Sequence, residues 1–232
     1  MHCILFDIDG TLLHSHGAGR TAMAEAFESV FGASGSLRSG HPIAGKTDRQ
    51  IVRDIALESG IDPARIESAI ARYWDVYVEC LERNLAERGA APYPGVTALL
   101  DALLARPDVS VGLLTGNMER GAWLKLRAAG IADRFGWGAF GDVCEQRCDL
   151  VPHALERAGE ATGRAFAPAE AVVVGDTPED ISTARTGGTR VVAVATGVYA
   201  FEALRACAPD HLVADFTDTA SVVAALLDGT RP

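Results

Sequence analysis

Short apolar runs without polar alternation recur along the chain: CILFDI from Cys3 to Ile8, VGLLT from Val111 to Thr115, AVVVG from Ala171 to Gly175 and RVVAVA from Arg190 to Ala195. Segments apolar on both faces predict strands of a parallel sheet with helices packed on each side. HLVADF, around Leu212, is a weaker run of the same kind. Between the first two runs, from about Ser15 to Gly89, the period changes. TAMAEAFESVFG sets Ala22, Ala26, Phe27 and Val30 at helical spacing, and DRQIVRDIALESG and PARIESAIARYWDVYVECLERNLAERG continue in the same way. A crossover between parallel strands needs far less chain than this. The pattern therefore predicts an open α/β sheet with a helical cap inserted after the first strand. HSHGAG and the turn-rich GAAPYPG are the expected hinges.

Composition narrows the class. With 232 residues, 48% of them apolar and 22% charged, the chain has the makeup of a soluble globular protein. A net charge of -10 and the lack of a basic stripe argue against a nucleic-acid surface. No stretch approaches the roughly 20 apolar residues of a spanning helix. CILF is too short, and lacks the preceding basic region, for a signal peptide, so the expected location is the cytoplasm. The five cysteines show no paired Cys-x-x-Cys spacing; Cys144 and Cys148, without a histidine or second cysteine pair at suitable spacing, read as free thiols like the rest.

The candidate chemistry sits where strands are expected to end. In FDIDGT, Asp7 and Asp9 stand one residue apart. Side chains two apart on an extended strand point the same way, so the two acids are expected to face one space, at the edge where open α/β sheets place ligands. Like charges this close destabilise each other unless a cation or proton intervenes. Asp176, directly after AVVVG, arrives at the same edge, and oxygen donors gathered from two strand ends suit a hard cation such as Mg²⁺. Asp180 has a second reading, because Thr177, Pro178, Glu179 and Asp180 spell an N-cap, a proline at the first helical position and an acid closing a capping box. LLTGN ends another strand with Thr115, Gly116 and Asn117 ahead of a helix. That trio is either a phosphate cradle or an ordinary turn and cap.

FDIDGT, LLTGN and VVVGDTPEDI, in this order and each at a strand end, resemble the motifs of the haloacid dehalogenase-like superfamily of phosphohydrolases. The resemblance implies a Rossmann-like doubly wound parallel sheet core of residues 1–14 and 93–232, with a helical cap of residues 15–92. It also implies Mg²⁺-dependent phosphoryl transfer: Asp7 attacks phosphorus to form an aspartyl phosphate, and Asp9 protonates the leaving oxygen, then acts as base toward water. In the dehalogenase branch the second acid is absent, so Asp9 points to phosphate chemistry. Thr115, with Gly116 and Asn117, would hold phosphate oxygens. The implied metal set is the Asp7 carboxylate, the Asp9 carbonyl and Asp176, with Asp180 at or beside the metal. Members of the superfamily also pair the nucleophile with a cation, usually lysine. The two lysines here are Lys46, in the expected cap, and Lys125, in the helix after TGN, and neither stands where that cation belongs. Arg147, just ahead of the helix that starts near Leu150, is the candidate. The alternative is a solvated loop arginine, with Arg164 or a cap residue as the true partner. Arginine keeps the charge and grips phosphate bidentately, but it does not simply replace lysine.

In capped members the core does the chemistry and the cap selects the leaving group. Arg20, just past the first hinge, and Lys46, in HPIAGKTDRQIV, are the candidate selectors. GKTD resembles the specificity loop of phosphoglycolate phosphatase-like proteins, where a lysine would meet a second anionic group. Equally, Lys46 and Arg49 are solvated while Thr47 and Asp48 start the next helix. Trp74 and Tyr77 read as packing residues, and His14, His16 and His41 as surface or hinge residues. Gly40 to Thr47 spells the GxxxxGKT of a nucleotide-binding loop, yet such a loop must follow a buried apolar strand, and Ala33 to Ser39 is small and polar. The expected function is a phosphatase of a small phosphorylated metabolite, most like phosphoglycolate phosphatase, with no nucleic-acid or membrane partner. A phosphomutase similar to β-phosphoglucomutase and a weakly catalytic phospho-ligand-binding protein remain the alternatives, and the sequence sets no oligomeric state.

Overall fold

In the computed structural model, which describes residues 1–33 and 36–228, the first apolar run forms β1 (His2–Phe6), and a tight turn leads to the short strand β2 (Leu13–His14). Three helices follow: α1 (Ala18–Phe31), α2 (Asp48–Glu58) and α3 (Pro63–Arg88). β3 (Ala91–Pro92) then returns antiparallel to β2, pairing Leu13 with Pro92 and His14 with Ala91, so the two segments expected as hinges bind each other. The remainder alternates: α4 (Val96–Leu104), β4 (Val109–Leu114), α5 (Glu119–Ala128), β5 (Gly138–Ala139), α6 (Leu150–Thr162), β6 (Ala171–Gly175), α7 (Pro178–Thr186), β7 (Arg190–Val194), α8 (Phe201–Ala206), β8 (His211–Val213) and α9 (Thr219–Leu227).

The larger sheet has the order β5-β4-β1-β6-β7-β8, and every neighbouring pair is parallel. Because side chains alternate along a strand, β1 feeds two separate cores. Ile4 and Phe6 pack with Leu99 and Leu103 of α4, Leu126 of α5 and Leu226 of α9. Cys3 and Leu5 pack with Val151 and Ala154 of α6, Ile181 of α7 and Leu204 of α8. Helices on both faces of a parallel sheet make this an α/β fold of the doubly wound type.

The inserted helices bury a third cluster of their own. Phe27 of α1, Ile55 of α2, and Tyr73 and Tyr77 of α3 are buried together, joined by Met118 from the loop after β4. The helix ends follow local rules: Thr47 accepts a hydrogen bond from the Gln50 amide at the start of α2, and Asp62 precedes Pro63 at the start of α3 and accepts from the Ala64 amide. No helix among the described residues is long and apolar enough to cross a membrane.

Two boundaries differ from the pattern-based expectation. β1 stops at Phe6 rather than Ile8, because the chain turns there: the amides of Leu12 and Leu13 both bond the Ile8 carbonyl, and Gly10 takes a φ of 87°. Asp7 and Asp9 thus leave the sheet edge on a turn, and strand alternation is not what brings them together. The edge strand β5 was not expected at all, since two residues carry no readable period.

Candidate active site

β1 lies third in the order, flanked by β4 and β6, and the chain runs outward from it through β4 to β5 before crossing back to β6, β7 and β8 on its other side. Its register sets Phe6 beside Leu113 on one side and Val174 on the other. The residues that follow these strands, Asp7, Thr115 and Asp176, therefore meet at one edge, at the point where the strand order reverses. The Asp7 amide still bonds the Val174 carbonyl at 2.9 Å, which anchors the first acid to the sheet.

Asp7, Asp176 and Asp180 are all buried, and each offers an oxygen within 4.8 Å of the others. Burial, followed by the repulsion of Asp180 and Asp9, pushes the Asp7 carboxyl up to about 6 against the opposing pull of Arg147. Asp176 is pushed well above the usual carboxylate range by burial and then by Asp180 and Asp7. Thr11 Oγ1 holds Asp176 Oδ1 at 3.0 Å. Gly10 is required beside it: a Cβ there would lie 2.3 Å from Asp176 Oδ2. Three buried carboxylates against one guanidinium leave a site short of positive charge, and its donors are all hard oxygens. That set fits a divalent cation of the Mg²⁺ kind.

The guanidinium is Arg147, buried just ahead of α6. Its Nη2 lies 2.9 Å from Asp7 Oδ1 and 2.5 Å from Asp180 Oδ1, its Nη1 donates to the Gly45 carbonyl at 3.3 Å, and its Nε is buried without a partner in the structure. Arg164, the other arginine considered from sequence, pairs with Glu170 and lies over Phe166. Asp180 closes the capping box expected of it and also reaches the cation of the site. Oδ2 accepts from the Thr177 amide and hydroxyl, completing the capping box of α7, while Oδ1 takes Arg147.

On the other side of Asp7, Thr115 is fully buried and its Oγ1 accepts from the amide and the side chain of Asn117. Asn117 Nδ2 also donates to Asp9 Oδ2 at 2.8 Å. Lys125 completes this group: its Nζ lies 2.5 Å from Asp9 Oδ2 and 2.5 Å from Asn117 Oδ1. Sequence reasoning set Lys125 aside as a helix residue. A signal was present, because Gly121, Ala122, Lys125 and Leu126 form the buried face of α5, and lysine is almost never buried without a partner.

A cavity of about 770 Å³ separates these residues from the inserted helices, with Arg20, Lys46, Asp48 and Tyr77 among its lining on the far side. Lys46 Nζ is engaged by Asp54 at 2.8 Å. Arg20 Nη1 donates to the carbonyls of Leu37 and His41, bracing the segment that leads into GKTD. Thr47 and Asp48 start α2 and also join the core. Thr47 Oγ1 donates to the Glu145 carbonyl, the Asp48 amide donates to the Gly116 carbonyl at 2.7 Å, and Asp48 Oδ2 accepts from the Met118 amide at 2.8 Å. Gly116 permits that approach, since a Cβ there would lie 2.2 Å from the Lys46 carbonyl oxygen. Tyr77 is buried with its hydroxyl unpartnered in the structure. Among the described residues no strand leads directly into Gly40; a 3₁₀ turn over Ser36–Ser39 does, which is not the setting of a nucleotide-binding loop.

Asp48 makes stability depend on pH. Burial pushes its carboxyl up to about 7, against the pull of Lys125 and the Met118 amide, whereas an unfolded aspartate titrates near 4. Between those values the unfolded chain binds fewer protons than the folded one, so this group's contribution falls as pH rises from about 4 to about 7. Asp48→Asn keeps an acceptor for Met118 and removes the titration. Its melting temperature relative to the parent is expected to rise between pH 5 and pH 8, and an offset that is the same at both would contradict the assignment.

The haloacid dehalogenase-like hydrolase family model matches residues 1–188. A phosphoglycolate phosphatase from Rhodospirillum rubrum is 28% identical over 206 residues, covering 84% of this chain and 79% of that protein. Among solved structures, a hydrolase from Pseudomonas syringae superposes with a TM-score of 0.72 at 20% identity, covering 96% of this chain and 98% of that one. A β-phosphoglucomutase from Clostridium difficile superposes with a TM-score of 0.71 at 14% identity, covering 97% of both chains. At these identities the two structures speak for the fold.

Proposed function

The chain belongs to the haloacid dehalogenase-like hydrolase family, and we propose that it is a Mg²⁺-dependent phosphatase of a small phosphorylated metabolite such as phosphoglycolate, acting through an aspartyl phosphate on Asp7. The observation that carries this reading is the placement of Asp7, held 2.9 Å from the buried Arg147 guanidinium at the head of a cavity that Asp9 also lines. The phosphoglycolate phosphatase from Rhodospirillum rubrum, similar over most of both chains, supports the substrate class.

The residues divide the work as follows. An Asp7 oxygen attacks phosphorus while the bond to the leaving oxygen breaks, and that oxygen takes a proton from Asp9. Water then gives a proton to Asp9 and attacks the same phosphorus, so the bond to Asp7 breaks, phosphate leaves and both acids return to their starting forms. Arg147, with its unpartnered Nε, and the Thr115–Asn117 turn offer donors to the phosphate oxygens. Asp7, Asp176, Asp180 and the Asp9 carbonyl would hold Mg²⁺, which when bound offsets the charge of the carboxylates and the phosphate. A weakly catalytic binding protein would follow from the lack of the family's lysine at the nucleophile, and an arginine in direct contact with Asp7 supports the catalytic reading over it.

A screen of phosphorylated metabolites tests the proposal. Inorganic phosphate release is expected with Mg²⁺, abolished by a chelator and restored by fresh Mg²⁺. Sugar-phosphate isomerisation without phosphate release would establish the mutase instead. Arg20→Ala and Lys46→Ala are expected to raise KM more than they lower kcat, since both shape the far wall of the cavity. A loss confined to kcat in either variant would place that residue in the chemistry.

A further inference from the structure

We infer that Lys125 is a positioning residue for Asp9: it holds one oxygen of that carboxylate and leaves the other to exchange a proton with the leaving group. The inference rests on the phosphatase reading above and adds a residue to which the sequence motifs assign no role. Its ground is geometric. Lys125 Nζ and Asn117 Nδ2 both approach the same oxygen, Asp9 Oδ2, at 2.5 and 2.8 Å, and Lys125 also binds Asn117 Oδ1 at 2.5 Å. The three side chains thus close a ring, so the orientation of Asp9 follows from α5 and from the turn after β4.

The surroundings are arranged for an ammonium at this point. Lys125 projects from the buried face of α5 and is 5% exposed. Across from it α1 carries Gly19, where a Cβ would lie 3.1 Å from Nζ. Asp9, by contrast, has a side chain 42% exposed toward the cavity. An acid so open, on a turn, has rotamer freedom to lose, and a group that transfers protons must lie within hydrogen-bond reach of the reacting oxygen. Two donors on Oδ2 restrict that freedom and leave Oδ1 for the substrate.

The test uses leaving groups. In the first half-reaction the alkoxide of an alkyl phosphate needs the Asp9 proton as its bond to phosphorus breaks, whereas p-nitrophenolate departs without one. Lys125→Met keeps the buried stem and removes the ammonium. Its kcat/KM, relative to the parent, is expected to fall on the order of 10-fold or more further on ethyl phosphate and on phosphoglycolate than on p-nitrophenyl phosphate. Each ratio is taken within one preparation, so a partly unfolded variant lowers all three values alike and leaves the difference intact. Equal losses on the three esters would overturn the inference, and so would a loss confined to phosphoglycolate, which would make Lys125 a recognition group for the second anionic charge. A parent that hydrolyses none of the three removes the phosphatase reading itself, and this inference with it.

Discussion

Asp7→Asn is expected to abolish turnover, with kcat reduced by a factor on the order of 10⁴ or more, while the protein stays folded. The amide has the shape of the carboxylate but cannot act as the nucleophile that forms an acyl phosphate. Folding is expected to survive because the ionised carboxylate is itself unwelcome in this position, where burial and the neighbouring acids push its titration up to about 6. Arg147 loses one ionic contact but keeps Asp180 at 2.5 Å. Phosphate release and thermal melting, both without and with Mg²⁺, check the two halves of this expectation. Beryllofluoride, which mimics the aspartyl phosphate, is expected to form an adduct with the parent and not with the variant. Activity near the parent level in Asp7→Asn would contradict the assigned nucleophile.

The second large effect is expected at Arg147. Its guanidinium meets Asp7, Asp180 and the Gly45 carbonyl, and so ties the two acids to the loop that precedes α2. Arg147→Ala leaves buried carboxylates without their cation, and breaking a buried pair in this way costs about 3–5 kcal/mol. In metal-free buffer the variant is therefore expected to melt well below the parent, with part of the loss recovered by Mg²⁺ as the acids find another cation. kcat/KM is expected to fall on the order of 10²-fold or more, through lost phosphate contacts and a looser loop at Gly45. Arg147→Lys is expected to recover only part of this, because a single ammonium does not reproduce the planar fork that spans three acceptors. An Arg147→Ala variant with the parent's melting temperature and kcat/KM would return this residue to the solvated-loop reading.

Several elements of the site were legible without coordinates because they are local. Apolar runs ending in acids mark where parallel strands deliver side chains, and the Thr177–Asp180 spelling marks a capping box that the structure contains. Arg147 could be singled out because it precedes a helix at the place where the family carries a cation. The same local reasoning overlooked Lys125, which lies two turns inside a helix and reaches Asp9 only because α5 packs with that face turned inward. It also left Lys46 open. Whether that lysine meets a ligand or a carboxylate depends on Asp54, one helix turn and more away on α2, which engages it at 2.8 Å. The joint role of Asp48 was likewise hidden, since a residue at the first position of a helix gives no sign that its carboxylate will accept an amide from a distant loop.

By itself the sequence determined the order of the longer strands, the helical stretch between the first two apolar runs, and the acids that follow those strands. These follow from unbroken apolar runs, from a period of 3.6 residues and from turn and cap chemistry, all of which act over a few neighbouring positions. Only the tertiary structure decided which cation faces which acid, because that depends on how elements far apart in the chain pack. Arg147 went to Asp7 and Asp180, Lys125 to Asp9, and Lys46 to Asp54. Charge attraction acts through space and carries no sequence period, so the pairing of these groups had to await the folded chain.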